Sequence, residues 1–196
     1  RETLIAESET GKITMVEWNN AWSKLTRSMD IYRTIKDIEI SGNHAEYHSA
    51  NVTDTEAIGH AVNGRSITGI VHGAGLEESK LVADKSWSTF DLIVRVKVDG
   101  WKALTAAAGE SLRFACSFTS VAGRFGNGGQ TDYAAANSIL DAEMARLTAA
   151  GDCRAVAIGW TGWRDVGMAT RGSIEAVFQA AGIETLSVGK GVEIFV

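Results

Sequence analysis

The chain has 196 residues, of which 45% are apolar and 22% charged, with a formal net charge of −5 and a pI near 5.4. That is the composition of a soluble globular domain with one sizeable core, and the acidic balance argues against nucleic acid or an anionic membrane as the main partner. Two cysteines, Cys116 and Cys153, are too few for a disulfide framework; no stretch is apolar for the length of a membrane span, and residues 1–10 carry no signal-peptide core, so a cytoplasmic location is expected.

Residues 1–42 read as a polar, helical N-terminal segment, with Trp18, Trp22, Leu25, Met29, Tyr32, Ile35 and Ile38 at three- and four-residue steps before Gly42. The run from His44 to Val52 reads as a strand, and Thr53-Asp54-Thr55-Glu56 supplies a cap and an acidic first turn for a helix over 54–62. Ser66 to His72 reads as a buried strand that stops at Gly73-Ala74-Gly75. A long helix is expected over 86–107, broken near Asp99-Gly100, followed by a strand over 112–117. A helix over 132–149 places Ala136, Ile139, Leu140, Met144 and Leu147 on one face, and Arg154 to Trp160 is the last clear strand. Residues 189–196 begin a further helix or strand. Strands alternating with helices predict an α/β fold, a doubly wound parallel sheet covered on both faces.

Ligands bind such sheets at the carboxyl ends of the strands. Three unusual segments fall there: Asn51-Val52, His72-Gly73-Ala74-Gly75 and Thr119-Ser120. The glycines after His72 suit either a plain strand-to-helix turn or the wall of a cofactor site. Ser120 precedes Tyr133 by thirteen residues, and Asn137 follows Tyr133 by four. A hydroxyl and a phenol on a strand, loop and helix suit carbonyl reduction, in which Ser120 holds the carbonyl oxygen while Tyr133 donates a proton to it. Taken singly, Ser120 also suits a turn and Tyr133 a core phenol.

The stretch from Phe118 to Tyr133, Phe-Thr-Ser-Val-Ala-Gly-Arg-Phe-Gly-Asn-Gly-Gly-Gln-Thr-Asp-Tyr, resembles the ketoreductase domains of polyketide synthases, in the short-chain dehydrogenase/reductase superfamily. It is most similar to those of polyunsaturated-fatty-acid-synthase and enediyne type. The resemblance covers most of the chain from about residue 30, so residues 43–196 are expected to form the catalytic part of a ketoreductase domain. Most of the superfamily carries a lysine four residues after the tyrosine, where this chain has Asn137. In polyketide ketoreductases the lysine comes from the preceding long helix, within Lys-Val-Asp-Gly, which is Lys97-Val98-Asp99-Gly100 here. The resemblance therefore implies Ser120, Tyr133, Lys97 and Asn137 as catalytic residues, with the Lys97 ammonium lowering the phenol's pKa and Asn137 relaying through water. It implies NADPH held by Asn51, Val52, His72, Gly73, Ala74, Gly75, Lys97, Tyr133 and Trp160; substrate contacts at Phe125, Gln130, Trp163 and Met168; and no metal.

By the same resemblance, the reaction is reduction of a 3-oxoacyl thioester, delivered by an acyl carrier protein domain, to the 3-hydroxyacyl form within polyketide or fatty-acid biosynthesis. A non-catalytic structural reductase-like module and a free-standing reductase of small ketones are the alternatives. Leu76-Glu77-Glu78 stands where one stereochemical class carries Leu-Asp-Asp, which favours a D-configured product; an acidic helix start is the other reading of those residues. Ile174, Val177, Phe178 and Ala181 either line an acyl tunnel as a lid or pack on the core. No Gly-x-Gly-x-x-Gly turn opens the chain, and no strand and helix precede the first polar helix, so the fold is expected to lack its first βαβ unit and the chain to be a piece of a larger multienzyme.

Overall fold

A computed structural model describes residues 14–151, 153–164, 166–167 and 182–196. By their contacts they divide into two units, residues 1–49 and 50–196. In the first, α1 (Met15–Ile40) opens with a capping box: the Glu17 amide donates to Thr14 Oγ1 at 3.2 Å and the Thr14 amide to Glu17 Oε2 at 2.8 Å. Those bonds hold the Glu17 carboxyl below its usual range. Trp18 stacks on Trp22 with ring centroids 5.9 Å apart, and both are half-buried along with Ile35 and Ile38, whereas Leu25, Met29 and Tyr32 of the predicted stripe are exposed.

Residues 44–52, expected to be a strand, form no ladder. A strand exists only through a neighbour that accepts and donates its backbone bonds, and here local bonds prevail: His44 and His48 both bond Glu46, and the Asp54 amide donates to the Asn51 carbonyl.

The second unit is built on three parallel strands in the order β1 (Gly69–His72), β2 (Phe114–Ser120) and β3 (Arg154–Trp160). Ile70 pairs with Ala115 and Ala115 with Ala155; His72 pairs with Ser117 and Ser117 with Ala157. Because side chains alternate across a strand, these residues share one face, which α3 (Trp87–Ala108) and α5 (Thr131–Ala150) cover. The core lies between them: Ile70, Trp101, Ala108, Leu112, Ala115, Leu140, Met144 and Cys153. Both faces were expected to be covered; on the opposite face, among the described residues, Val71 and Val156 lie open on either side of the buried Cys116. Ile139, expected on the buried face of α5, is exposed.

The remaining helices are α2 (Thr55–Val62), capped by the Asp54 carboxylate, the five-residue α4 (Val121–Phe125), and α6 (Val188–Phe195), capped by Ser187. The expected break at Asp99-Gly100 does not occur, since α3 runs unbroken to Ala108. Gly100 serves close packing instead: a Cβ there would stand 3.0 Å from both Val52 methyls and 3.4 Å from His72 Cε1. Gly123 of α4 is tighter still, its notional Cβ falling 2.9 Å from Asn137 Cβ and 3.1 Å from the Ser138 amide nitrogen.

Two glycine replacements should therefore diverge in sign. Gly59→Ala in α2, with nothing within 4 Å of the added methyl, is expected to stabilise by about 0.5–1 kcal/mol through helix propensity. Gly123→Ala meets backbone and should destabilise by about 1–3 kcal/mol. Denaturant midpoints followed by circular dichroism check both, and equal shifts would refute the packing account.

Candidate active site

The carboxyl ends of β1 and β2 and the first turns of α5 meet over one small region. β2 delivers Ser120 at its last residue, where extended backbone (φ −139°, ψ 148°) makes it the N-cap of α4 and its Oγ accepts from the Ala122 amide at 3.2 Å. Tyr133 and Asn137 lie one turn apart on α5, so they project from the same face. Asn137 is fully buried; its Nδ2 donates to the Tyr133 backbone carbonyl at 2.7 Å, while its Oδ1 has no partner. That orphaned acceptor would carry a desolvation cost with no ligand or water on it.

Lys97 comes from α3. Its side chain is 3% exposed, its Nζ donates to the Phe118 carbonyl at 2.9 Å, and the ammonium lies 5.9 Å from the centroid of the Tyr133 ring. Burial pulls the amine down to about 8, against a smaller upward pull from Asp141. The Lys97 backbone is also held: its carbonyl is 2.9 Å from His72 Nε2, which must be the donating nitrogen since a carbonyl only accepts. Burial lowers the His72 pKa, so the ring is neutral. Gly75 makes room from the other side, because a Cβ there would sit 3.1 Å from Lys97 Cε.

The Tyr133 phenol is pushed up by burial, with hydrogen bonding from the Ser120 and Asn137 side chains working downward and the Glu77 charge upward. This corrects the expected direction. Desolvation dominates, and the phenol is protonated at neutral pH.

The remaining predicted residues separate into groups. Gln130 ties two loops: its Nε2 donates to Glu77 Oε1 at 3.0 Å and to Ser79 Oγ at 3.2 Å, its Oε1 accepts from Asn127, and the Lys80 amide donates to the Gly129 carbonyl at 3.0 Å. Glu77 lies in this irregular segment, not at a helix start. Phe125 is exposed at the end of α4. His72, Gly73, Ala74 and Gly75 follow one another off the end of β1, with the His72 ring turned inward to α3. Val52 packs on Gly100, and Asn51 Oδ1 is already engaged, accepting from the Thr53 amide and hydroxyl at 3.1 and 3.0 Å. Trp160 is buried with its Nε1 unpartnered, stacked edge-on with Phe118 and with Trp163 at 5.6 and 4.9 Å between centroids. Met168 and the expected lid residues Ile174, Val177, Phe178 and Ala181 lie outside the described residues.

Two residues of the site escaped the sequence reading. Asp132 and Lys85 form a buried ion pair beside Tyr133, with Oδ1 to Nζ at 2.5 Å. Asp132 carried a faint signal as an acidic residue in the first turn of a helix; Lys85, forty-seven positions away, carried none.

The donor set fits the nicotinamide end of a dinucleotide. Lys97 gives one of its three N–H bonds to Phe118, which leaves donors for ribose hydroxyls, and the Asn137 acceptor is unpaired.

The family profile described as KR domain matches residues 17–165. Polyketide synthase PksM of Bacillus subtilis (strain 168) is 29% identical over 171 residues, which is 83% of this chain and 4% of that protein. The solved structure of PlmKR1, the ketoreductase from the first module of phoslactomycin biosynthesis in Streptomyces sp. HK803, superposes with a TM-score of 0.71 at 29% identity, covering 78% of this chain and 36% of that one. A short-chain dehydrogenase from Burkholderia cenocepacia J2315, solved in complex with NADP, shares the fold at 19% identity and a TM-score of 0.67 over 80% of this chain and 69% of its own. The chain thus spans a small part of the synthase it matches and about a third of the solved ketoreductase, and it belongs to the KR family, the ketoreductase domains of polyketide synthases.

Proposed function

We propose that the chain carries the proton-handling half of a ketoreductase that reduces a 3-oxoacyl thioester, presented by an acyl carrier protein domain, to the 3-hydroxyacyl thioester. The observation that carries this reading is the convergence of a phenol, a hydroxyl and a buried amine at the carboxyl ends of β1 and β2, with the amine supplied from a different helix than the phenol. Bound NADPH supplies the hydride. NADPH itself is favoured by the kinship with ketoreductases and by the NADP complex of the Burkholderia structure, a protein of the same fold.

Ser120 donates its hydroxyl hydrogen to the ketone oxygen and fixes its position. Tyr133, a protonated phenol raised by burial, gives its proton to that oxygen as it becomes an alkoxide, a far stronger base than phenolate. Lys97 holds the phenolate left behind, its ammonium 5.9 Å from the ring centroid, and its charge counts for more in a buried site than it would in water. Asn137 Oδ1, the unpaired acceptor, orients the water that returns a proton to Tyr133. Val52, Gly73 and Gly75 line the cofactor side, Gln130 the substrate side. The same kinship supports a position beside other domains of a multienzyme.

In the full polypeptide, Tyr133→Phe should lower kcat for NADPH-dependent reduction of a 3-oxoacyl N-acetylcysteamine thioester by about 10²–10⁴-fold, with circular dichroism and NADPH-quenched fluorescence unchanged. Turnover like wild type in that variant would remove Tyr133 as the donor. The reduction should also fall as pH rises through about 8, the point at which Lys97 loses its charge. Below that pH the ammonium is present and activity plateaus. Lys97→Met is expected to abolish this alkaline limb, which a pH–rate profile records.

A further inference from the structure

Resting on the reductase reading, we propose that the Lys85–Asp132 ion pair is a positioning element that sets Tyr133, and the loop facing it, for turnover. The side chains of Lys85 and Asp132 are 3% and 0% exposed. Lys85 lies in an apolar recess with Val82, Trp87, Phe90 and Thr131. Its Nζ donates to Asp132 Oδ1 at 2.5 Å and to the Glu78 carbonyl at 2.8 Å, and the same Oδ1 accepts the Tyr133 backbone amide at 2.8 Å. One carboxylate oxygen therefore sits between the ammonium and the proposed acid's own backbone, and one ammonium ties that oxygen to residue 78.

The consequence is a junction of three chain segments: the irregular run after β1, the entry to α3, and the N-terminus of α5. Two further bonds join the first and last of them, Lys80 amide to Gly129 carbonyl and Gln130 Nε2 to Glu77 Oε1, each 3.0 Å. Glu77 acts on the Tyr133 phenol from this loop, so the junction fixes both the acid and the charge facing it. The Tyr133 amide is one of the four that a helix start leaves without an intrahelical partner, and Asp132 occupies it while placing negative charge at the positive end of α5. A buried pair is a weak source of stability compared with apolar residues of the same shape; what it adds is directional bonding that such residues cannot supply. Lys85 and Asp132 need not touch substrate to act this way. They act through Tyr133 and Glu77.

The test separates positioning from bulk stability in the full polypeptide. Lys85→Met with Asp132→Leu replaces the pair by apolar volume and should keep a cooperative unfolding transition and an NADPH Kd within about twofold. Its kcat should fall by about 10²-fold, the effect of misplacing a reacting group by roughly 1 Å. Lys85→Arg, which can bond both oxygens, should recover most of that loss. Amide exchange at Lys80 and Tyr133 should quicken in the double variant while that of Ala115 in β2 does not. Wild-type kcat in the folded double variant, or losses of kcat and NADPH affinity in equal proportion, would overturn the proposal. If the unaltered polypeptide shows no reduction, the reductase reading falls separately, and the exchange comparison alone judges the junction: unchanged protection at Lys80 and Tyr133 overturns it.

Discussion

The geometry of the site depends on one buried ammonium. Lys97 enters the space between α3 and β2 with its Nζ on the Phe118 carbonyl, and the cost of desolvating that charge is visible in an amine lowered to about 8. The neighbours are arranged for it. His72 stays neutral and grips the Lys97 carbonyl, Gly75 leaves room for the aliphatic stem, and Gly100, one turn further along α3, lets Val52 and His72 close against the helix. A methyl at Gly75 would meet the Lys97 stem itself, and one at Gly100 would meet Val52 and the His72 ring that bonds the Lys97 carbonyl, so these glycines are tied to close packing around Lys97 more than to chain flexibility.

Desolvation acts on both partners of the proposed proton transfer, with opposite signs, because burial penalises whichever form is charged. The amine drops and the phenol rises, so on raising the pH Lys97 gives up its proton before Tyr133 does. Over that range the site holds an intact phenol and no cation, an acid with nothing to hold its conjugate base. At neutral pH it holds both protons. A half-buried phenol and a buried amine therefore suit an acid that acts only when a stronger base forms on the substrate, in contrast to a phenolate that waits as a general base.

What was legible in the sequence follows the range of the interactions. The strand–helix alternation comes from local periodicity and the Ser120, Tyr133 and Asn137 set from motif spacing; β3 lies where it was expected, β1 starts later, at Gly69, and β2 runs on to Ser120. The run 44–52 fails as a strand for the complementary reason: its composition is strand-like, but pairing is a property of two segments, and its own side chains bond one another instead. The break assigned to Gly100 came from helix propensity alone, whereas the residue that decides it, Val52, is distant in sequence. Lys85 and Asp132 were missed on the same principle. An isolated lysine carries no mark of burial, and only the fold supplies the carboxylate that makes burial tolerable.

The proposed pairing of a lysine on α3 with an asparagine on α5 has a steric basis. Asn137 occupies the place one turn past the phenol, and it fits because Gly123 removes the Cβ that would strike its own. A lysine there would meet the same wall with a longer stem and would bring a second ammonium toward the one already beside the ring, with repulsion strengthened by the low dielectric. A neutral amide avoids that conflict, bonds the Tyr133 carbonyl, and leaves an acceptor facing inward. The position of the cation relative to the phenol is thus set in space, by α3 packing on β1 and α5.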